Sequence, residues 1–180
     1  FCPVAQGYGA TETTACTTVQ EVFGRQGRPS DIGGGRVGAI QPNTKLMMES
    51  VSEMGYMVTD KDKDGNDMPR GEILIAGHSV SSGYYKLDEK TAEDFKVHND
   101  GMTYFHTGDI GKMHPDGVLQ IIDRKKDLIK LEGGEYVSLG KVESVLKLVK
   151  GVAACAVFCQ SSKKSCVCIV SQPPNGGWAS

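Results

Sequence analysis

Four short segments carry side chains of complementary chemistry at close spacing. The first is Gln6-Gly7-Tyr8-Gly9-Ala10-Thr11-Glu12. Here the ring of Tyr8 can lie on a flat base, while Gly7 and Gly9 let bare backbone come close. Thr11 offers a hydroxyl to a phosphoryl oxygen, and Glu12 offers a hard oxygen to Mg2+. The second segment, Tyr104-Phe105-His106-Thr107-Gly108-Asp109, ends in a carboxylate that can accept hydrogen bonds from both hydroxyls of a ribose. The third runs Ile121-Ile122-Asp123-Arg124-Lys125-Lys126-Asp127-Leu128-Ile129-Lys130-Leu131, and its Arg124 can bind a hydroxyl or phosphate. The fourth is Gly134-Glu135-Tyr136-Val137-Ser138-Leu139-Gly140-Lys141-Val142-Glu143. Together these parts suit a nucleotide. Singly, an Asp after Gly is an ordinary turn residue, and Arg124-Lys125-Lys126 is an ordinary solvated basic run.

The elements that must hold these groups read as mostly strand and turn. Glycine accounts for 23 of 180 residues, nearly double the usual ~7%. That excess favours tight turns over a helical bundle. Strand character is expected in 38–48, 55–58, 71–76, 102–105 and 118–122, with a hairpin turn at Asp116-Gly117. The polar stretch 60–67 reads as a hairpin tip, and 87–95 as a short helix with Asp88 and Glu89 in its first turn. A second hairpin is expected over 130–137, turning at Gly133-Gly134. Then the period changes. Val142, Val145, Leu146 and Val149 mark one apolar face of a helix, with Ser138 as N-cap and Gly151 at the C′ position. Two strands, 152–158 and 166–171, follow around a polar turn.

Several function classes are excluded. Lys+Arg 20 against Asp+Glu 22 gives a net charge of −2, which argues against nucleic-acid binding by phosphate neutralisation. No run approaches the ~18 apolar residues of a transmembrane helix. Gly33-x-Gly35-x-x-Gly38 matches a dinucleotide fingerprint, but Pro42 blocks the helix the fingerprint needs. Asp60-x-Asp62-x-Asp64-Gly65 begins like a calcium loop, yet its twelfth position is Gly71 rather than Glu. His78, His98, His106 and His114 are too scattered along the chain to suggest a metal cluster. The six cysteines form no C-x-x-C pair, and four lie in apolar runs, so reduced core thiols are expected rather than disulfides.

As an ordered set, Y-G-x-T-E, T-G-D and D-R-x-K resemble the adenylate-forming superfamily of acyl-CoA synthetases, firefly luciferase and nonribosomal peptide synthetase adenylation domains. The fit is closest to eukaryotic long-chain fatty acyl-CoA synthetases, through I-I-D-R-K-K-D-L-x-K-L, G-E-Y-V-S-L-G-K-V-E and the intervening H-P-D-G. The resemblance spans residues 1 to about 170 and is densest over 100–145. It implies a two-step ligase: a fatty carboxylate and ATP give acyl-adenylate and pyrophosphate, and coenzyme A then displaces AMP. By resemblance, Gly7, Tyr8 and Gly9 would bind adenine, Thr11 the phosphate and Glu12 Mg2+. Asp109 and Arg124 would hold the ribose. Lys126 would be the hinge of a rotating small domain; Gly133-Gly134-Glu135 would enter the site for thioester formation, with Lys130 assisting. One departure is Ala10, where the long-chain group usually has leucine.

The implied fold is α+β and β-rich. Residues 1–123 would be the last, antiparallel and barrel-like subdomain of the large AMP-binding domain, and 124–180 the hinge and the beginning of a small α+β domain. The family's phosphate loop lies N-terminal to Y-G-x-T-E, and its adenylation lysine lies near the C-terminus. Neither is in this chain, and Phe1 is no initiator methionine. A piece of a larger enzyme, inactive alone, is therefore expected. Fatty acid, ATP and coenzyme A would be the partners. The whole protein would be intracellular, with the endoplasmic reticulum, mitochondrial and peroxisomal membranes as candidate places of attachment by regions outside the chain. Two alternatives remain: an adenylate-forming enzyme for an aryl or amino acid, and a non-catalytic AMP-binding homologue.

Overall fold

The computed structural model describes residues 4–21 and 35–173. The strand end expected at Phe1-Cys2-Pro3, most of the glycine-rich connector including Gly33, and the tail after Pro173 lie outside the described residues. The chain divides into two units, Phe1–Ile122 and Asp123–Ser180.

The first unit is built on antiparallel pairing. Its strands are β1 (Gly7–Tyr8), β2 (Thr18–Val19), β3 (Arg36–Ile40), β4 (Thr44–Glu49), β5 (Arg70–Gly77), β6 (Phe95–Val97), β7 (Thr103–Met113) and β8 (Leu119–Arg124), whose last two residues belong to the second unit. The sheet order is β1-β2-β3-β8-β7-β5-β4, with β6 beside β7. Both ends of this order are free among the described residues, so the expected barrel-like closure is corrected to an open, eight-stranded sheet. β5, the most buried strand, carries the core. On one face Ile73 and Ile75 pack with Val37 and Leu119, and on the other Leu74 and Ala76 pack with Tyr104. Strand alternation sends successive side chains to opposite faces, so a continuous apolar run is what a strand covered on both sides needs.

Local signals place the shorter elements. Helix α1 (Asp88–Asp94) carries Asp88 and Glu89 in its first turn. Gly117 turns at φ +82 between β7 and β8, as the Asp116-Gly117 pair suggests. The expected strand at 55–58 is instead a 3-10 turn, Ser52–Met54, and an isolated Val51–Tyr56 bridge. At the 60–67 tip, Asp62 accepts the backbone N–H groups of Asp64 and Asn66, and Asp60 pairs with Arg70 at 2.7 Å. Those carboxylates staple the hairpin tip.

The second unit contains β9 (Leu128–Lys130), β10 (Tyr136–Ser138), helix α2 (Leu139–Leu146), β11 (Ala154–Phe158) and β12 (Val167–Ser171). Ser138 caps α2 by accepting the Lys141 N–H. α2 is held beside β11 by Glu143, whose carboxylate accepts the Val157 N–H at 2.9 Å. Its apolar stripe is less buried than the periodicity suggests: Val142 and Val145 are 37% and 65% exposed, and Val149, 50% exposed, lies beyond the helix, which is capped at Lys147 rather than running on to Gly151. A two-stranded hairpin offers too little surface to cover an entire helix face.

The cysteine expectation is overturned in part. Cys159 and Cys166 form a disulfide across the β11–β12 turn. The last ladder pair is Phe158 with Val167, so the next two residues are directly opposed at a Cα–Cα distance of 4.4 Å. Spacing along the chain identified apolar runs but not this register. Among the described residues Cys16, Cys155 and Cys168 are free thiols; Cys16 and Cys168 are exposed rather than core. No helix among the described residues is long and apolar enough to cross a membrane.

Candidate functional site

The first unit brings two of the sequence-derived groups together. Tyr8 sits on β1 with its ring against the Val37–Ile73–Ile75–Leu119 cluster. Its hydroxyl donates to Asp109 Oδ2 at 2.8 Å across 101 residues of sequence. Gly9 is required by close approach: a Cβ there would lie 2.0 Å from the Ala15 carbonyl oxygen. Beyond Gly9 the chain makes a 3-10 turn, Thr11–Thr13, and then Thr14 and Ala15 take φ of 54° and 73°. Thr13 pins that turn by accepting the Ala10 N–H at 2.9 Å. Thr11 is exposed and Glu12 half-buried.

Asp109 is aimed by a bulge. Glu72 pairs with Ile110 and Leu74 with His106, so Thr107, Gly108 and Asp109 of β7 face only Ile73 of β5. Gly108 takes φ +70, a left-handed value that glycine adopts freely. Thr107 Oγ1 donates to the Ile73 carbonyl at 2.8 Å and accepts the Asp109 N–H at 3.0 Å. Buried Glu72 accepts the Gly108 N–H at 3.2 Å. T-G-D is therefore a bend inside a long strand.

Three features escaped the sequence reading: Tyr84, the His98–His106 pair and Asp123. Tyr84 donates to Glu12 Oε1 at 2.6 Å and contacts Asp94 Oδ2 at 3.1 Å. Burial first, then these two carboxylates, push its phenol well above the ordinary tyrosine value. Its signal was a glycine-flanked tyrosine, Gly83-Tyr84, of the same kind as Gly7-Tyr8. His98 and His106, expected to be scattered, meet with their Nε2 atoms 3.1 Å apart. Glu49, Glu72 and His106 also bring one ligand atom each within 4.8 Å of one another. Within this group Glu72 pins the T-G-D bend by accepting the Gly108 N–H, and His106 meets His98.

In the second unit, Arg124 ends β8 and is exposed, and Lys126 is exposed inside a 3-10 turn, Lys125–Asp127. Gly133 and Gly134 form the β9–β10 turn, closed by Gly134 N–H to the Leu131 carbonyl at 2.9 Å. Glu135 beside them is exposed. Lys130 Nζ lies 5.6 Å from the Tyr136 ring centroid. Asp123 is the third unforeseen participant: Ser138 donates to its Oδ1 at 2.9 Å, and Lys141 Nζ lies 3.1 Å from Oδ2. The first residue of the D-R-K-K run thus anchors α2.

Residues 1–85 match the family model for AMP-binding enzymes. Those residues, nearly half of the chain, are an AMP-binding enzyme segment. Among curated proteins the chain is 45% identical over 168 residues to long chain acyl-CoA synthetase 8 of Arabidopsis thaliana, covering 93% of this chain and 22% of that protein. It is 38% identical over 172 residues to fatty acyl-CoA synthetase B of Dictyostelium discoideum, covering 96% of this chain and 23% of that protein. The chain thus spans less than a quarter of the length of these relatives. Among solved structures, the A domain of carboxylic acid reductase from Segniliparus rugosus, in complex with AMP and a co-purified carboxylic acid, superposes with a TM-score of 0.72. That match is 27% identical and covers 94% of this chain and 23% of the other. ATP-bound MatB from Rhodopseudomonas palustris gives a TM-score of 0.67 at 26% identity, covering 98% of this chain and 32% of the other.

Proposed function

We propose that this chain is the nucleotide-holding and hinge portion of a long-chain fatty acyl-CoA synthetase. The observation that carries the reading is the Tyr8–Asp109 hydrogen bond, which joins an aromatic base platform to a carboxylate from a distant strand. In the first half-reaction a fatty carboxylate oxygen bonds to the α-phosphorus of ATP, and the bond to the bridging oxygen breaks to release pyrophosphate. In the second, the coenzyme A sulfur bonds to the acyl carbon and AMP departs. The residues of this chain mainly position the nucleotide. Tyr8 and the glycines beside it present ring and backbone to adenine. Asp109, held by the Thr107–Gly108 bend, accepts the ribose hydroxyls. Thr11 faces phosphate.

Glu12 fits a hard cation. One oxygen is engaged by Tyr84, and no lysine or arginine pairs with it among the described residues. When bound, Mg2+ would neutralise phosphate charge there. Gly133, Gly134 and Glu135 form a bare, open turn suited to coenzyme A, with Lys130 at its base. The same reading puts the whole protein inside the cell, at a membrane of the endoplasmic reticulum, mitochondrion or peroxisome, through segments outside this chain.

The test is Asp109→Ala in the full-length enzyme. Charge-assisted hydrogen bonds contribute ~1.5–3 kcal/mol, so the KM for ATP should rise roughly ten- to a hundredfold. The KM for fatty acid should stay near its wild-type value. An unchanged ATP dependence would remove the ribose assignment.

A further inference from the structure

The segment just after β5 is laced to the Thr11–Glu12 turn by three hydrogen bonds. Ser81 N–H donates to the Glu12 carbonyl at 2.8 Å, Thr14 Oγ1 donates to the Ser79 carbonyl at 2.7 Å, and Tyr84 Oη donates to Glu12 Oε1 at 2.6 Å. Only the last touches a functional side chain. The Tyr84 ring is itself immobilised. It packs edge-on against Phe95 at 5.6 Å, and its backbone N–H donates to Thr91 Oγ1 at 2.9 Å. Gly83 before it, at φ +141, lies so close to Thr91 that a Cβ there would fall 2.4 Å from its methyl group. The phenol is thus a fixed donor on a rigid mount.

One hydroxyl has one proton, but two carboxylates face it. Asp94 is the poorer claimant: its contact is longer, 3.1 Å, and its other oxygen already receives Lys90 Nζ at 3.0 Å. Glu12 has the shorter bond and no cationic partner among the described residues. An anchored Oε1 leaves Oε2 as the oxygen presented outward, and it removes the rotamer freedom a cation would otherwise have to freeze.

We propose that Tyr84 is a positioning residue for Glu12: its hydroxyl orients the carboxylate toward the divalent cation that accompanies the nucleotide. The proposal rests on the reading of Glu12 as the cation ligand, given above. It predicts that Tyr84 acts only through Glu12.

The experiment uses the full-length enzyme and four forms: wild type, Tyr84→Phe, Glu12→Gln and the double variant. Phenylalanine keeps the ring on Phe95 and removes only the hydroxyl. Mn2+ binding in the presence of a non-hydrolysable ATP analogue is read by electron paramagnetic resonance, and the KM for Mg2+ is read beside kcat. Tyr84→Phe should weaken Mn2+ binding and raise the KM for Mg2+ by roughly tenfold, with kcat at saturating Mg2+ and the melting temperature nearly unchanged. In the Glu12→Gln background the same substitution should add nothing. Equal losses in both backgrounds, or a loss in melting temperature with unchanged Mn2+ binding, would make Tyr84 a packing residue and overturn the proposal. Weak Mn2+ binding in Glu12→Gln beside wild-type binding in Tyr84→Phe would overturn the Tyr84 role alone. Wild-type Mn2+ binding in Glu12→Gln would overturn the cation reading and this proposal with it.

Discussion

Gly9→Ala is expected to abolish nucleotide binding and to destabilise the first unit by about 3 kcal/mol or more. The new methyl carbon would lie 2.0 Å from the Ala15 carbonyl oxygen and 2.6 Å from the carbonyl carbon, both backbone atoms. No rotamer change relieves such a clash, so the 10–16 turn must move. That turn carries Thr11 and Glu12, and it is tied back to the site by Thr17 N–H to the Tyr8 carbonyl at 2.8 Å. Shifting it disturbs the proposed base platform, Tyr8, and the proposed cation ligand, Glu12, together. Gly117→Ala makes the control. Its φ of +82 strains an alanine, but open space surrounds the new atom, so only about 1 kcal/mol should be lost. Denaturant titration of both variants, with nucleotide binding measured alongside, checks the pair. If Gly9→Ala cost no more than Gly117→Ala, the close approach at Gly9 would be absent.

Lys126→Pro in the full-length enzyme is expected to separate the two half-reactions. Lys126 is exposed within the 3-10 turn Lys125–Asp127, between β8 and β9. In the first turn of a helix a backbone N–H has no intrahelical acceptor, so proline there removes no structural bond. What it does remove is rotation about φ, which it holds near ~−65°. Hinge motion requires a few such residues to change torsion. If the retained orientation is the adenylating one, single-turnover pyrophosphate release should continue near the wild-type rate. Acyl transfer from preformed acyl-adenylate to coenzyme A should fall by roughly a hundredfold or more, an effect of ~2.7 kcal/mol or more on that step alone. Equal losses in both assays would leave Lys126 a surface lysine in a basic run.

Much of the candidate site was legible because its signals are local. Glycine brackets around Tyr8, the Asp116-Gly117 turn, the serine before α2 and the acidic first turn of α1 each act within a few residues. Their effects survive whatever the rest of the chain does. The 55–58 strand and the buried stripe on α2 failed for the opposite reason. Apolar pattern states which face would be buried if a partner surface exists, and the partner is supplied by other elements.

By itself, then, the sequence determined the β-rich α+β character, the ordered motifs and the nucleotide chemistry they imply. Backbone conformation and side-chain type decide those, and both are carried residue by residue. Only the tertiary structure decided which groups meet. Tyr8 reaches Asp109 and Tyr84 reaches Glu12 across separations of 101 and 72 residues. The bend that aims Asp109 arises because three residues of β7 oppose one of β5, and the Cys159–Cys166 bond forms because one hairpin register places those two side by side. Strand register is a collective result of every pairing in a sheet, and a slip of one residue would reverse each of these faces. No local stretch of sequence contains that information.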